Sequence, residues 1–168
     1  AYMDNDGSFQ PGDRVACAGQ DYASHAEIVS VPRNLVAKIP DNVSFEEASF
    51  TTLGAIALQG VRQADPRLGE KVAVIGLGLL GQITCQLLKA NGCRVLGFDP
   101  NPARAKLALD MGADVAVSEA LDDAVRGFTD GYGADAVIVT ASSKSSAPPN
   151  QAAEISRMKG RVVMVGLT

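Results

Sequence analysis

Three glycines pose the first chemical question. Gly76, Gly78 and Gly81 stand in "GLGLLG", directly after the β-forming run "KVAVI". The spacing is G-x-G-x-x-G. The first glycine permits a tight turn, the second lets backbone approach a diphosphate, and the third allows close packing of a helix on a strand. A helix beginning near Leu79 would aim its free N–H groups and the positive end of its dipole at the phosphates. The same spacing also suits a strand-to-helix corner that binds nothing, so the glycines alone leave two readings open.

The next strand candidate, "CRVLGF", adds an acid. Asp99 closes it, 18 residues beyond Gly81. A carboxylate there can accept hydrogen bonds from both hydroxyls of an adenosine ribose and would repel a 2′-phosphate, which favours NAD over NADP. Asp before Pro100 is also an ordinary turn residue. The order strand, glycines, helix, strand and acid favours the dinucleotide. A P-loop is excluded because Gln82-Ile83 stand where Lys-Ser/Thr would hold phosphates and magnesium. A methyl-donor site is disfavoured because strand one ends Ala73-Val74-Ile75, without an acid.

These groups need a scaffold, and the pattern from Lys71 onward supplies one. Five apolar strand candidates ("KVAVI", "CRVLGF", "ADVAV", "ADAVIVT", "RVVMVG") alternate with helical stretches. Leu79 to Ala90 is the first helix. Asn101 caps the second, with Pro102 in its first turn and Gly112 near its end. Ser118 opens the third, and Pro148-Pro149 mark the start of the fourth. Nearly all-apolar strands alternating with helices predict an α/β Rossmann fold, a doubly wound parallel sheet of about five strands. Before Lys71 the chain reads differently. "DRVACAG", "ASHAEIVSV" and "NLVAKIP" read as short strands of an antiparallel unit, Ser44 and Glu47 as a capping box, and "AIALQGVRQA" as a helix ending before Asp65-Pro66.

Bulk properties narrow the classes. The chain has 168 residues, 46% of them hydrophobic, enough for a buried core, and a net charge of −4 without a basic stretch, which argues against nucleic acid. No apolar run nears a membrane span, and "AYMDNDGSFQPGDR" has no signal-peptide pattern, so a soluble cytoplasmic protein is expected. Cys17, Cys85 and Cys93 are scattered and odd in number, which reads as reduced thiols or small core residues. With His25 as the one histidine, the chain is poorly equipped to build a zinc site alone, so no metal ligand is assigned. His25, Tyr22, Tyr132 and the Asp122-Asp123 pair read as structural or surface groups.

Taken together, "PGDRVAC", "YASHAEIVSVP", "LVAKIPDNVSFEEAS" and "VAVIGLGLLGQITCQLLKANGCRVLGFDPNPARAKLALDMGAD" resemble, in order and spacing, the medium-chain dehydrogenase/reductase family of zinc-type alcohol dehydrogenases and quinone reductases. The chain is also similar to the amino-terminal part of two-module oxidoreductases. The resemblance implies that Gly76, Gly78, Leu79 and Leu80 line a diphosphate and Asp99 the adenosine ribose. It puts Arg104 near the adenosine end, Thr140 and Ala141 beside ribose and diphosphate, and Val165, Gly166 and Leu167 toward the nicotinamide. It divides the chain into a partial GroES-like segment, residues 1–64, and an incomplete NAD-binding Rossmann domain, residues 65–168. It implies a chain truncated at both ends and inactive alone. Its intact parent would transfer hydride between NAD and an alcohol, carbonyl or activated alkene, a small-molecule substrate, with a homodimer through the sheet edge. Where zinc-dependent members carry a Cys or Asp ligand, Thr52 stands here, so a zinc-independent enzyme is expected. A zinc-dependent alcohol or polyol dehydrogenase and a non-catalytic NAD sensor are the alternatives.

Overall fold

The structure, a computed structural model, describes residues 7–166. It divides into two compact units, Ala1–Thr52 and Leu53–Thr168. In the first, β1 (Val15–Cys17) pairs antiparallel with β2 (Val36–Lys38), with Ala16 opposite Ala37. A short helix, α1 (Phe45–Ala48), starts on the expected capping box: Ser44 Oγ accepts from Glu47 N, and the Glu47 carboxylate accepts from Ser44 N at 2.8 Å. The stretch "ASHAEIVSV" is not a strand, contrary to expectation. Its β-formers Ile28 and Val29 are exposed, and Ala26 N bonds only locally, to Ser24 O. Among the described residues, the ladder of this unit is β1 with β2, so the segment has no strand to join. His25 accordingly lies on exposed, irregular backbone.

Helix α2 (Thr51–Ala64) leads into the second unit and starts before the "AIALQGVRQA" stretch predicted for it. Then follow β3 (Lys71–Ile75), α3 (Leu79–Ala90), β4 (Arg94–Phe98), α4 (Pro102–Asp110), β5 (Val115–Val117), α5 (Leu121–Phe128), β6 (Ala134–Val139), α6 (Ala147–Ile155) and β7 (Ser156–Met164). The strands form one parallel sheet in the order β5-β4-β3-β6-β7. The alternation of strand side chains divides the core in two. Val72, Val74, Ala136 and Ile138 meet Val61 of α2, Leu88 of α3 and Ala108 of α4 on one face. Ala73, Ile75, Val137 and Val139 meet Leu121 of α5 and Ile155 of α6 on the other. This is the predicted doubly wound α/β architecture.

Local starts agree with the sequence in most places. Asn101 caps α4, its side chain accepting from Ala103 N, with Pro102 at the first helical position. The expectation at Ser118 needs correction. Helix α5 starts at Leu121, after Ala120 in the left-handed region (φ 50°), and no side chain caps it. Packing decides this start, because it brings Leu121 and Val125 into the core, and the Asp122-Asp123 pair complements the helix dipole instead. In β7 the ladder is interrupted: Ala134 faces Ser156 and Ala136 faces Arg161, with Lys159 at φ 63° between them. Among the described residues, no helix is long and apolar enough to cross a membrane.

The strand N-termini are tied by charge. Asp135 accepts from Lys71 N at 2.8 Å and from Arg157 Nε at 2.7 Å, while Arg161 pairs with Glu70 and donates to Asp65 O at 2.6 Å. Burial by itself would raise the Asp135 carboxyl. The Arg157 and Lys71 hydrogen bonds and the nearby guanidinium charges outweigh it and hold the group below its ordinary 3.8. A carboxylate depressed in the fold stabilises above its unfolded value and loses that contribution as pH falls through the folded one. Denaturant midpoints should therefore fall as pH drops below 3.8, and Asp135→Asn should flatten that acid limb.

Candidate functional site

The strand order reverses between β3 and β6: the chain winds outward through β4 and β5, then returns to add β6 and β7 on the other side. At such a switch point the connections leave on opposite faces and open a crevice at the carboxyl ends of the strands. Here that crevice is an open cleft of about 1100 Å³. Its floor is the glycine bend.

Each glycine has its own geometric reason. Gly76 has φ +95°, and a Cβ there would lie 2.5 Å from Ala141 N. Its N–H donates to Phe98 O at 2.8 Å, and its carbonyl accepts from Thr140 Oγ1 at 2.6 Å. A Cβ on Gly81 would lie 1.9 Å from Gly76 O, so only glycine lets α3 sit this close to the bend. Gly78 differs: it caps α3 with φ −69°, and a Cβ there would meet nothing within 4 Å. The empty space at Gly78 faces the start of α3, whose first N–H groups, from Leu79, Leu80 and Gly81, have no carbonyl within the helix to bond. The bend is unobstructed.

Across the cleft, Asp99 is 5% exposed. Its Oδ2 accepts from Leu77 N at 2.8 Å and its Oδ1 from Asn101 N at 2.9 Å. Arg104 Nη1 stands 3.4 Å from Oδ2, on a side chain 55% exposed. The cleft is lined by Gly76, Gly78, Leu79 and Leu80 on one wall, by Asp99 and Arg104 on another, and by Thr140 and Ala141 at the end of β6. Gly81 lies beneath the bend rather than on the cleft. Val165 packs toward the core with its backbone N donating to Val139 O at 2.8 Å, and Gly166 fits where a Cβ would come within 2.0 Å of Ala141 O. Leu167 lies outside the described residues.

Other lining groups were not foreseen. Ser142, Ser143 and Ser145 bring hydroxyls from the loop after β6, and Pro148 and Gln151 come from α6. The signal was available, since "TASSKSSAPP" follows the strand at which the sheet order reverses. Helices α3 and α6 differ in their free donors at the cleft. At the start of α6, Ala147 N already donates to Ser145 Oγ at 3.3 Å, Pro148 and Pro149 have no N–H, and Asn150 N bonds Ser146 O at 3.1 Å.

Elsewhere, Cys85 lies on the buried face of α3, and burial pushes its thiol up to about 12, which leaves it protonated and unreactive at neutral pH. Thr52 Oγ1 donates to Cys17 O at 3.5 Å. Among the described residues, no three His, Cys, Asp or Glu side chains gather as metal ligands.

The family model for zinc-binding dehydrogenases matches residues 80–168, from the first turn of α3 onward and more than half of the chain. The chain belongs to the zinc-binding dehydrogenase family. An alcohol dehydrogenase of Geobacillus stearothermophilus is 36% identical over 145 residues, 85% of this chain and 42% of the relative. Among solved structures, an alcohol dehydrogenase from Thermus sp. ATN1 is 31% identical with a TM-score of 0.74, covering 79% of this chain and 40% of that one. A mycobacterial protein solved in complex with NADPH is 29% identical with a TM-score of 0.71, covering 82% of this chain and 43% of that one. The chain spans about half the length of the curated relatives it matches. Membership agrees with the resemblance to medium-chain dehydrogenases, and the family's α/β domain is the part that holds the cleft.

Proposed function

We propose that the cleft binds the diphosphate and adenosine of NAD, and that the chain is the cofactor-binding portion of an oxidoreductase acting on an alcohol, a carbonyl or an activated alkene. The open space at Gly78, beside the unbonded N–H groups of α3, carries the reading. The diphosphate would lie against Gly76, Gly78, Leu79 and Leu80, above the packing contact at Gly81. Asp99 would take the ribose hydroxyls with Arg104 nearby, and Thr140 and Ala141 would border the ribose. Val165, Gly166 and Leu167 would continue toward the nicotinamide. When bound, NAD supplies hydride transfer at its nicotinamide C4, and the protein supplies position and electrostatics.

Within this reading, residues 1–64 are part of a GroES-like catalytic domain and residues 65–168 the cofactor domain, in a cytoplasmic protein that pairs with a second copy through the sheet edge. The intact protein is zinc-independent in our reading. The support is the chemistry of Thr52, a neutral hydroxyl already donating to a backbone carbonyl where a thiolate or carboxylate would be needed. Near-stoichiometric zinc in the full-length protein would overturn that part.

The choice between cofactors turns on Asp99. A 2′-phosphate would meet a buried carboxylate, and only the exposed Arg104 guanidinium would offset it. Fluorescence titration of the chain should give tighter binding of NADH than of NADPH. Equal affinities would remove the preference, and binding of neither would remove the cofactor reading.

A further inference from the structure

The backbone of Leu77 is gripped at both of its polar groups by distant side chains. Its N–H donates to Asp99 Oδ2 at 2.8 Å, and its carbonyl accepts from Gln82 Nε2 at 3.0 Å. The same Gln82 nitrogen donates to Arg104 O at 2.9 Å, and Arg104 Nη1 reaches Asp99 Oδ2 at 3.4 Å. A ring of four residues thus joins the glycine bend to the first turn of α4. Asp99 and Gln82 are both buried, 5% and 8% exposed. Gln82 Oε1 has no partner. The carboxamide is therefore oriented by its two donations, since the reverse orientation would set an oxygen against two carbonyls. An unpaired buried acceptor is costly, so the donor end is what the position needs.

We propose that Asp99 and Gln82 are positioning residues that pre-set the glycine bend for a diphosphate, so that Asp99 governs affinity for NAD and NADP alike. The proposal rests on the cofactor reading above. A bend held from both sides need not be ordered when ligand arrives, and that saving appears as affinity. A carboxylate offers about four lone-pair sites, and three donors occupy Asp99, so one site is left for a ribose hydroxyl beside the brace. Gln82 does not line the cleft, so it acts through the backbone of Leu77 and of Arg104.

The test compares the chain with Asp99→Asn, Asp99→Ser and Gln82→Met. NADH and NADPH are titrated by fluorescence, inorganic pyrophosphate by calorimetry, and Leu77 amide exchange is followed by NMR without ligand. Pyrophosphate has no sugar, so an Asp99 that only reads ribose would leave its affinity unchanged, or raise it once a negative charge is gone. The brace instead predicts roughly tenfold or greater losses for all three ligands in Asp99→Ser. Asp99→Asn keeps one acceptor and should lose less. Gln82→Met should weaken all three ligands without touching any of them, and in each variant the Leu77 amide should exchange faster. If Asp99→Ser fails to fold, the Asn and Met variants carry the same comparison. Unchanged pyrophosphate affinity with a shift toward NADPH in Asp99→Ser would overturn the brace, as would wild-type binding by Gln82→Met. If the unsubstituted chain bound none of the three, the cofactor reading would fail and the affinity claim with it. Unaltered Leu77 exchange in the variants would overturn the brace separately.

Discussion

Gly81→Ala should destabilise the second unit by on the order of 3 kcal/mol or more, while Gly78→Ala should leave its stability unchanged and remove dinucleotide binding. Only two residues separate the two glycines, yet they carry different loads. The new methyl at position 81 would be placed 1.9 Å from Gly76 O, a backbone atom held in turn by Thr140 at 2.6 Å. Relief requires α3 to lift off the bend, and that exposes Cys85 and Leu88 from the core. At position 78 the backbone is already where any L-residue is comfortable, φ −69°, and the methyl would meet only empty space. That space is what an approaching diphosphate would use. Urea denaturation with NADH titration on both variants separates the roles. A fully stable Gly81→Ala, or a Gly78→Ala that binds NADH normally, would contradict the assignment.

The second large effect lies at a residue the glycine motif treats as variable. Leu77→Ala should cost about 2–5 kcal/mol, the range for emptying a well-packed site. Leu77 is 1% exposed and belongs to the core cluster of β3, α3 and β6. It sits against Gly97 of β4, where a Cβ would come 2.9 Å from Leu77 Cδ2. The absence of a side chain at Gly97 is thus matched by the bulk at Leu77. Denaturant midpoints read the loss directly, and a cost below 1 kcal/mol would show that the bend collapses around the cavity.

The strand periods of the second unit were readable because two-sided burial makes the central strands β3, β4 and β6 largely apolar. The extents of β3 and α3 followed from the sequence, as did the Asn101 cap. The start of α5 did not, because packing of Leu121 overrode the capping preference of Ser118. "ASHAEIVSV" has the residues of a strand, but strand formation needs a partner as well as a propensity. At the site, glycine spacing and one acid marked the floor and the far wall. The grip on Leu77 was not legible, since nothing in the spacing of Gln82 says that its amide will turn back to a carbonyl five residues earlier. The serine loop could have been anticipated from topology alone.

The prolines that open α6 have one further consequence. Three helices, α3, α4 and α6, begin at this crevice, but only α3 arrives with protons to spare, since Asn101 already takes the first N–H groups of α4. In the proposed reading, an elongated guest with charge at one point along its length would therefore settle its anionic section against α3 rather than α6. Its head-to-tail sense would then be set by the main chain before any side chain selects what the guest is.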